Sequence, residues 1–134
     1  MTALGSVHRV LGFVFMAGVL VQFFLAGLGL FGAASFAPHG IFGSLLVLFS
    51  LIILLLALAS GRGRGVSALL FVFTVIQMVL VWFSEDAPVV SALHPVNALF
   101  LLYLGHAVGR GLSVNELMPG GRSSGAPEPA PRVR

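Results

Sequence analysis

No Asp, Glu, Lys or Arg occurs between Arg9 and Arg62, so positions 10 to 61 form one uncharged stretch. Two more follow, from 65 to 84 and from 87 to 109. A helix needs about 20 apolar residues to cross the hydrocarbon core of a bilayer. The first stretch therefore holds two spans and each of the others holds one. The expected fold is all-α, an antiparallel four-helix transmembrane bundle. Only 8% of the 134 residues are charged, against about a quarter in soluble domains. That balance excludes a soluble enzyme, a nucleic-acid binder and a disordered regulator. The basic excess carries no nucleic-acid message, because it rests on seven Lys and Arg residues against four acids. With no cysteine in the chain, disulfides and thiolate metal sites are excluded.

The helices are placed at about 7–31, 39–60, 65–83 and 89–108, inside a transmembrane domain covering 1–112. Gly, Ser, Pro and Asp mark the connections 32–38 and 84–88, and Gly61-Arg62-Gly63-Arg64-Gly65 reads as a tight basic turn. The first span resembles a signal peptide in its flanks. Its apolar stretch exceeds the usual 7–15 residues and a second span follows at once, which reads as an uncleaved helix. Arg9, Arg62, Arg64 and Arg110 flank the N-terminus, the second turn and the last helix end, while Glu85 and Asp86 sit in the third turn. The positive-inside rule then puts both termini in the cytoplasm. Residues 113–134, rich in Pro, Gly and Ser after Leu117, are expected to form a disordered cytoplasmic tail.

A repeat is visible in the rare residues. The chain has two glutamines, Gln22 and Gln77, each near the middle of a span and each 17 residues before a histidine, His39 and His94. An offset of 55 maps one pair onto the other, and also maps Arg9 onto Arg64, Leu25 onto Leu80, Ala37 onto Ala92 and Gly43 onto Ala98. The reading is a duplicated two-helix hairpin, which has a pseudo-two-fold axis along the membrane normal. His39 and His94 then face each other at equal depth, at the starts of the second and fourth helices. Such a pair suits a flat metallomacrocycle held by two axial ligands on facing helices. Small residues at Gly43 and Ala98, one turn below each histidine, are expected to let the ring lie close to the backbone. A helix N-terminus also favours neutral imidazole, the form that binds iron.

Each of these features has a plainer explanation. A histidine at a helix start beside Pro38 or Pro95 is also an ordinary helix-initiation signal exposed to water. Gln22 and Gln77 are costly in a bilayer unless bonded across helices, so they are read as bonding to each other, or else as contacting a cofactor or quinone head group. His8 and His106 stand outside the repeat and are candidates for a second axial pair, with interfacial solvation as the alternative. His94 and His106 lie about 18 Å apart along a helix but point about 120° apart, so one helix face cannot serve two stacked rings. Glu85 and Asp86 are read as capping the outer turn, with a shared metal site beside His39 or His94 as the alternative. Gly12, Gly18, Gly27 and Gly29 are expected to allow close helix contact. No nucleophile with a base, no paired carboxylates within a span and no phosphate loop is present.

The segments Gln22-Phe23-Phe24-Leu25-Ala26-Gly27, His39-Gly40 and Leu93-His94-Pro95-Val96-Asn97 resemble a family of small bacterial four-helix membrane proteins without an established function. More distantly, one histidine per hairpin is similar to the half-bundles of haem A synthase and other membrane b-type cytochromes. That resemblance implies axial ligation by His39 and His94 alone. The sequence departs from those proteins in offering no Arg or Lys at the outer face for haem propionates. The reading that follows is a small integral b-type cytochrome of the bacterial cytoplasmic membrane. It carries haem b on two histidines and passes single electrons to or from quinone or a partner complex, with lipid around it and no nucleic acid. The rival is a non-catalytic scaffold or accessory subunit of a larger membrane complex. A proton or small-solute carrier is weaker, since no Asp or Glu lies within a span.

Overall fold

The computed structural model describes residues 3–118, and among them there is no strand. Four helices are long and apolar enough to cross a membrane. They are α1 (Ala3–Leu30), α2 (Ala37–Ser60), α3 (Arg64–Trp82) and the last span, which breaks at Ala92 into α4 (Pro88–Ser91) and α5 (Leu93–Arg110). A last single turn, α6 (Val114–Leu117), follows. The observed ends lie within a few residues of those expected, apart from the break at Ala92 and an α1 that begins earlier.

Neighbouring pairs are α1–α2, α2–α3, α3–α5 and α5–α1, so the spans form a closed square with α2 and α5 on one diagonal. This closed order sets the hairpins α1–α2 and α3–α5 on opposite sides of the bundle, the arrangement a duplicated hairpin requires. The turn between the hairpins is tight because Gly61 closes α2 at φ 73° and Gly63 opens α3 at φ 64°. Both are left-handed angles that cost a side-chain-bearing residue roughly 1–2 kcal/mol.

The packed core lies toward the end of the bundle that carries Arg9, Arg62 and Arg110, referred to below as the arginine end. Phe15, Ile53, Leu70, Leu104, Val66 and Val108 are all fully enclosed there. Helices α1 and α5 meet glycine to glycine: a Cβ on Gly12 meets the Gly109 amide nitrogen at 2.5 Å, and one on Gly105 meets Gly12 O at 3.3 Å. Small residues let helix backbones meet in this way where lipid gives no hydrophobic push between helices. Gly18 and Gly29 likewise abut Leu46 and Phe36, but Gly27 faces open space and takes no part. Outside the core, Phe24, Leu30, Ile41 and Leu45 are more than half exposed, an apolar surface suited to lipid.

The tail expected from 113 onward begins with structure instead. Ser113 and Glu116 form a reciprocal capping box around α6, and Leu112, Val114 and Leu117 pack against the bundle core. Positions 119–134 of the expected tail lie outside the described residues.

Candidate functional site

Toward the opposite end, the histidine end, the square opens into a cavity of about 500 Å3. Its wall includes all six residues singled out by the repeat: Gln22, His39, Gly43, Gln77, His94 and Ala98. His39 stands in the first turn of α2 and His94 in the first turn of α5, so the diagonal brings them together. Their ring centroids are 6.0 Å apart.

Each imidazole is fixed by the other helix of its own hairpin. His39 Nδ1 lies 3.1 Å from Gln22 O, and His94 Nδ1 lies 3.1 Å from Gln77 O. A carbonyl oxygen can only accept, so Nδ1–H donates in both rings and the neutral imidazole keeps its lone pair on Nε2. The 17-residue spacing thus sets a glutamine main-chain carbonyl opposite a histidine across each hairpin.

The glutamine side chains do not bond to each other, and here the expectation fails. Gln77 Nε2 donates to His94 O at 3.0 Å, while its Oε1 accepts from Asn97 Nδ2, which also donates to Phe73 O at 2.9 Å. Asn97 is one of two asparagines in the chain and sits three residues after His94, on the same helix face. That spacing is the signal that sequence reasoning missed. The equivalent position in the first hairpin is Phe42, which offers no donor. Gln22 Oε1 is accordingly buried without a hydrogen-bond partner.

A Cβ on Gly43 would lie 2.7 Å from Gln22 Nε2, so the missing side chain makes room for the Gln22 carboxamide. Ala98 is 9% exposed and lies in the cavity wall. The rest of that wall is apolar or aromatic, with Phe15, Phe23, Met78 and Trp82 prominent. Sequence reading had given none of these four a place in the site.

The remaining candidates are not drawn into this cavity. His8 is 3% exposed, and its Nε2 is 2.8 Å from Ser67 Oγ. It is a buried interhelical contact, contrary to the expectation of solvation. His106 is exposed and meets the edge of Phe13, with centroids 6.1 Å apart. The two have different surroundings and form no second pair. Glu85 and Asp86 are exposed in their turn. No cluster of three or more His, Cys, Asp or Glu with metal-binding placement occurs among the described residues, so the shared metal site is not formed.

Fold and site define a class: a four-span integral membrane bundle with a histidine pair over an apolar cavity. Residues 22–85 match a family of unknown function, DUF6220. The matched segment holds Gln22, His39 and Gln77 and stops short of His94. No curated protein and no solved structure matches the chain.

Proposed function

We propose that this protein is a small membrane b-type cytochrome, an electron-transfer subunit in which His39 and His94 hold one haem. The observation that carries the reading is the paired imidazole geometry. The ring centroids lie 6.0 Å apart with the planes tilted by 58°, near enough for His39 and His94 to hold one metal between them. Metal-binding histidines characteristically donate their second ring nitrogen to a carbonyl, which holds the tautomer and raises ligand basicity. Both rings do so. Two neutral nitrogen donors at the wall of an apolar cavity are a donor set for haem iron rather than for a tetrahedral zinc, which wants four ligands.

When bound, the haem supplies a reversible one-electron couple. The protein's part is to orient: the Gln22 and Gln77 carbonyls hold Nε2 unprotonated, and the apolar wall excludes water from it. No Arg or Lys lines this cavity, so haem carboxylates have only water and lipid interface to meet. The likeness to haem A synthase-type half-bundles rests on one histidine per hairpin. By the positive-inside rule the arginine end faces the cytoplasm of a bacterial cell, and the redox partner is a quinone or a neighbouring complex.

Optical spectra of detergent-purified protein, oxidised and dithionite-reduced, test this directly. A Soret band with sharp reduced α and β bands is expected, lost in both His39→Ala and His94→Ala. A featureless spectrum from haem-replete cells overturns it. The second reading, an accessory scaffold, draws on the Gln77–His94–Asn97 bonds that knit α3 to α5. It requires colourless protein that co-purifies with a larger membrane complex.

A further inference from the structure

A second cavity, of about 190 Å3, lies at the arginine end of the bundle. Three arginines contribute to its lining from three separate segments: half-buried Arg9 in α1, and the exposed Arg62 of the α2–α3 turn and Arg110 of the last turn of α5. No carboxylate lines it. Arg9 spends Nε on Gly109 O at 3.0 Å, which fixes the side chain and leaves both Nη groups available. Arg62 and Arg110 make no hydrogen bond or ion pair with the described residues. The first turn of α3 borders the same space through Gly63 and Val66, and no side chain caps it.

The three arginines bring like charge to one cavity, and no carboxylate of the described residues lines it. An anion would offset that charge. Guanidinium forks match the paired oxygens of phosphate, and an uncapped helix start adds amide donors. The depth argues for phosphate over carboxylate, since the ends of spanning helices emerge where lipid head groups lie. The volume is below the roughly 300–1,000 Å3 of pockets that enclose whole small molecules. It matches a head group whose tails stay outside.

We propose that Arg9, Arg62 and Arg110 form a binding site for a phosphate group, supplied by an acidic phospholipid or by free phosphate. The site is independent of any haem at the other end.

The test uses the full chain in a neutral, phosphate-free detergent, with thermal unfolding read against added phosphatidylglycerol, phosphatidylcholine or inorganic phosphate. Phosphatidylglycerol is expected to raise the wild-type midpoint, and R62Q/R110Q to bind it about 30-fold more weakly. A tail variant, R122Q/R132Q/R134Q, is expected to behave as wild type. Native mass spectrometry of retained lipid gives the same comparison without relying on stability. An Arg62- and Arg110-dependent shift with inorganic phosphate alone also supports the site, with free phosphate as the source. The proposal is overturned by equal responses to phosphatidylcholine, by equal responses of wild type and R62Q/R110Q, or by loss confined to the tail variant.

Discussion

The imidazoles of His39 and His94 lie with ring centroids 6.0 Å apart and planes tilted by 58°, and each is pinned through Nδ1 to a glutamine carbonyl of the preceding long helix. The pin is to main chain, so removing one imidazole leaves the opposing hairpin's geometry in place. Gln77 Nε2 likewise donates to the His94 carbonyl, a bond that survives His94→Ala. Each single alanine variant is therefore expected to fold with a loss of about 1 kcal/mol, the net worth of one hydrogen bond. Millimolar imidazole is expected to enter the space left in either variant and restore the Soret band. Absorbance per mole of folded protein, with helicity followed by circular dichroism, checks this.

The two glutamines occupy equivalent positions but unequal surroundings. Gln77→Leu removes a donor from His94 O and an acceptor from Asn97, and is expected to cost about 1–3 kcal/mol. Gln22→Leu removes an amide whose Oε1 has no partner, so in haem-free protein it is expected to be neutral or stabilising. Thermal unfolding of the two variants in detergent decides the order. Equal losses would show that Gln22 has a partner outside the described residues.

The spans, their order and the histidine pair were legible because charge-free stretches and rare polar residues are visible without coordinates. The paired Gln22/His39 and Gln77/His94 spacing located the cavity, but it did not reveal how the residues bond. Side-chain pairing depends on which neighbour reaches an amide first: Asn97 reaches Gln77, while Phe42 has nothing to offer Gln22. His8 was misread because position near a helix start says nothing of rotation about the helix axis, and its face turns toward Ser67. The start of the tail was misread because its composition was averaged. Leu112, Val114 and Leu117 are enough to hold one capped turn against the core.

Helix α1 meets α5 across glycine backbones, which makes Gly12 the most sensitive glycine of the first span. A Cβ there meets Gly109 N at 2.5 Å and the Val108 carbonyl carbon at 2.9 Å, and main chain cannot move aside cheaply. Gly12→Ala is expected to cost about 1–3 kcal/mol by forcing the helices apart. Gly27→Ala, in open space on the same helix, is expected to lose nothing and to gain up to about 1 kcal/mol from helix propensity. Midpoints of thermal unfolding for the two variants, measured side by side, check the contrast.

His8 and Ser67 tie α1 to α3 inside the arginine end, with the bond buried. Ser67→Ala strands the imidazole nitrogen and is expected to cost about 1–3 kcal/mol. Replacing both partners removes the stranded group, so the double variant His8→Leu, Ser67→Ala is expected to lose less than the sum of the singles. A double-mutant cycle measures that coupling, expected at about 0.5–3 kcal/mol for residues in contact. Strict additivity would mean the bond contributes nothing.

Glu116 gives α6 a pH dependence of definite sign. The Ser113 backbone N–H donates to its carboxylate at 2.8 Å and the Ser113 hydroxyl at 2.7 Å, and both bonds favour the charged form. Its pKa in the folded chain is held below the ordinary 4.5 by those two bonds. A carboxylate with a lowered folded pKa stabilises above its unfolded pKa and stops doing so as pH falls through the lowered value. Docking of α6 is thus expected to be insensitive to pH near neutrality and to weaken below about pH 4.5. Hydrogen exchange at the Ser113 and Glu116 amides reports it, corrected for the intrinsic pH dependence of exchange. Glu116→Gln is expected to lose part of that protection at neutral pH and to abolish its further change on acidification. Unaltered protection in wild type down to pH values well below the carboxylate range would show that Leu112, Val114 and Leu117 hold the turn without the cap.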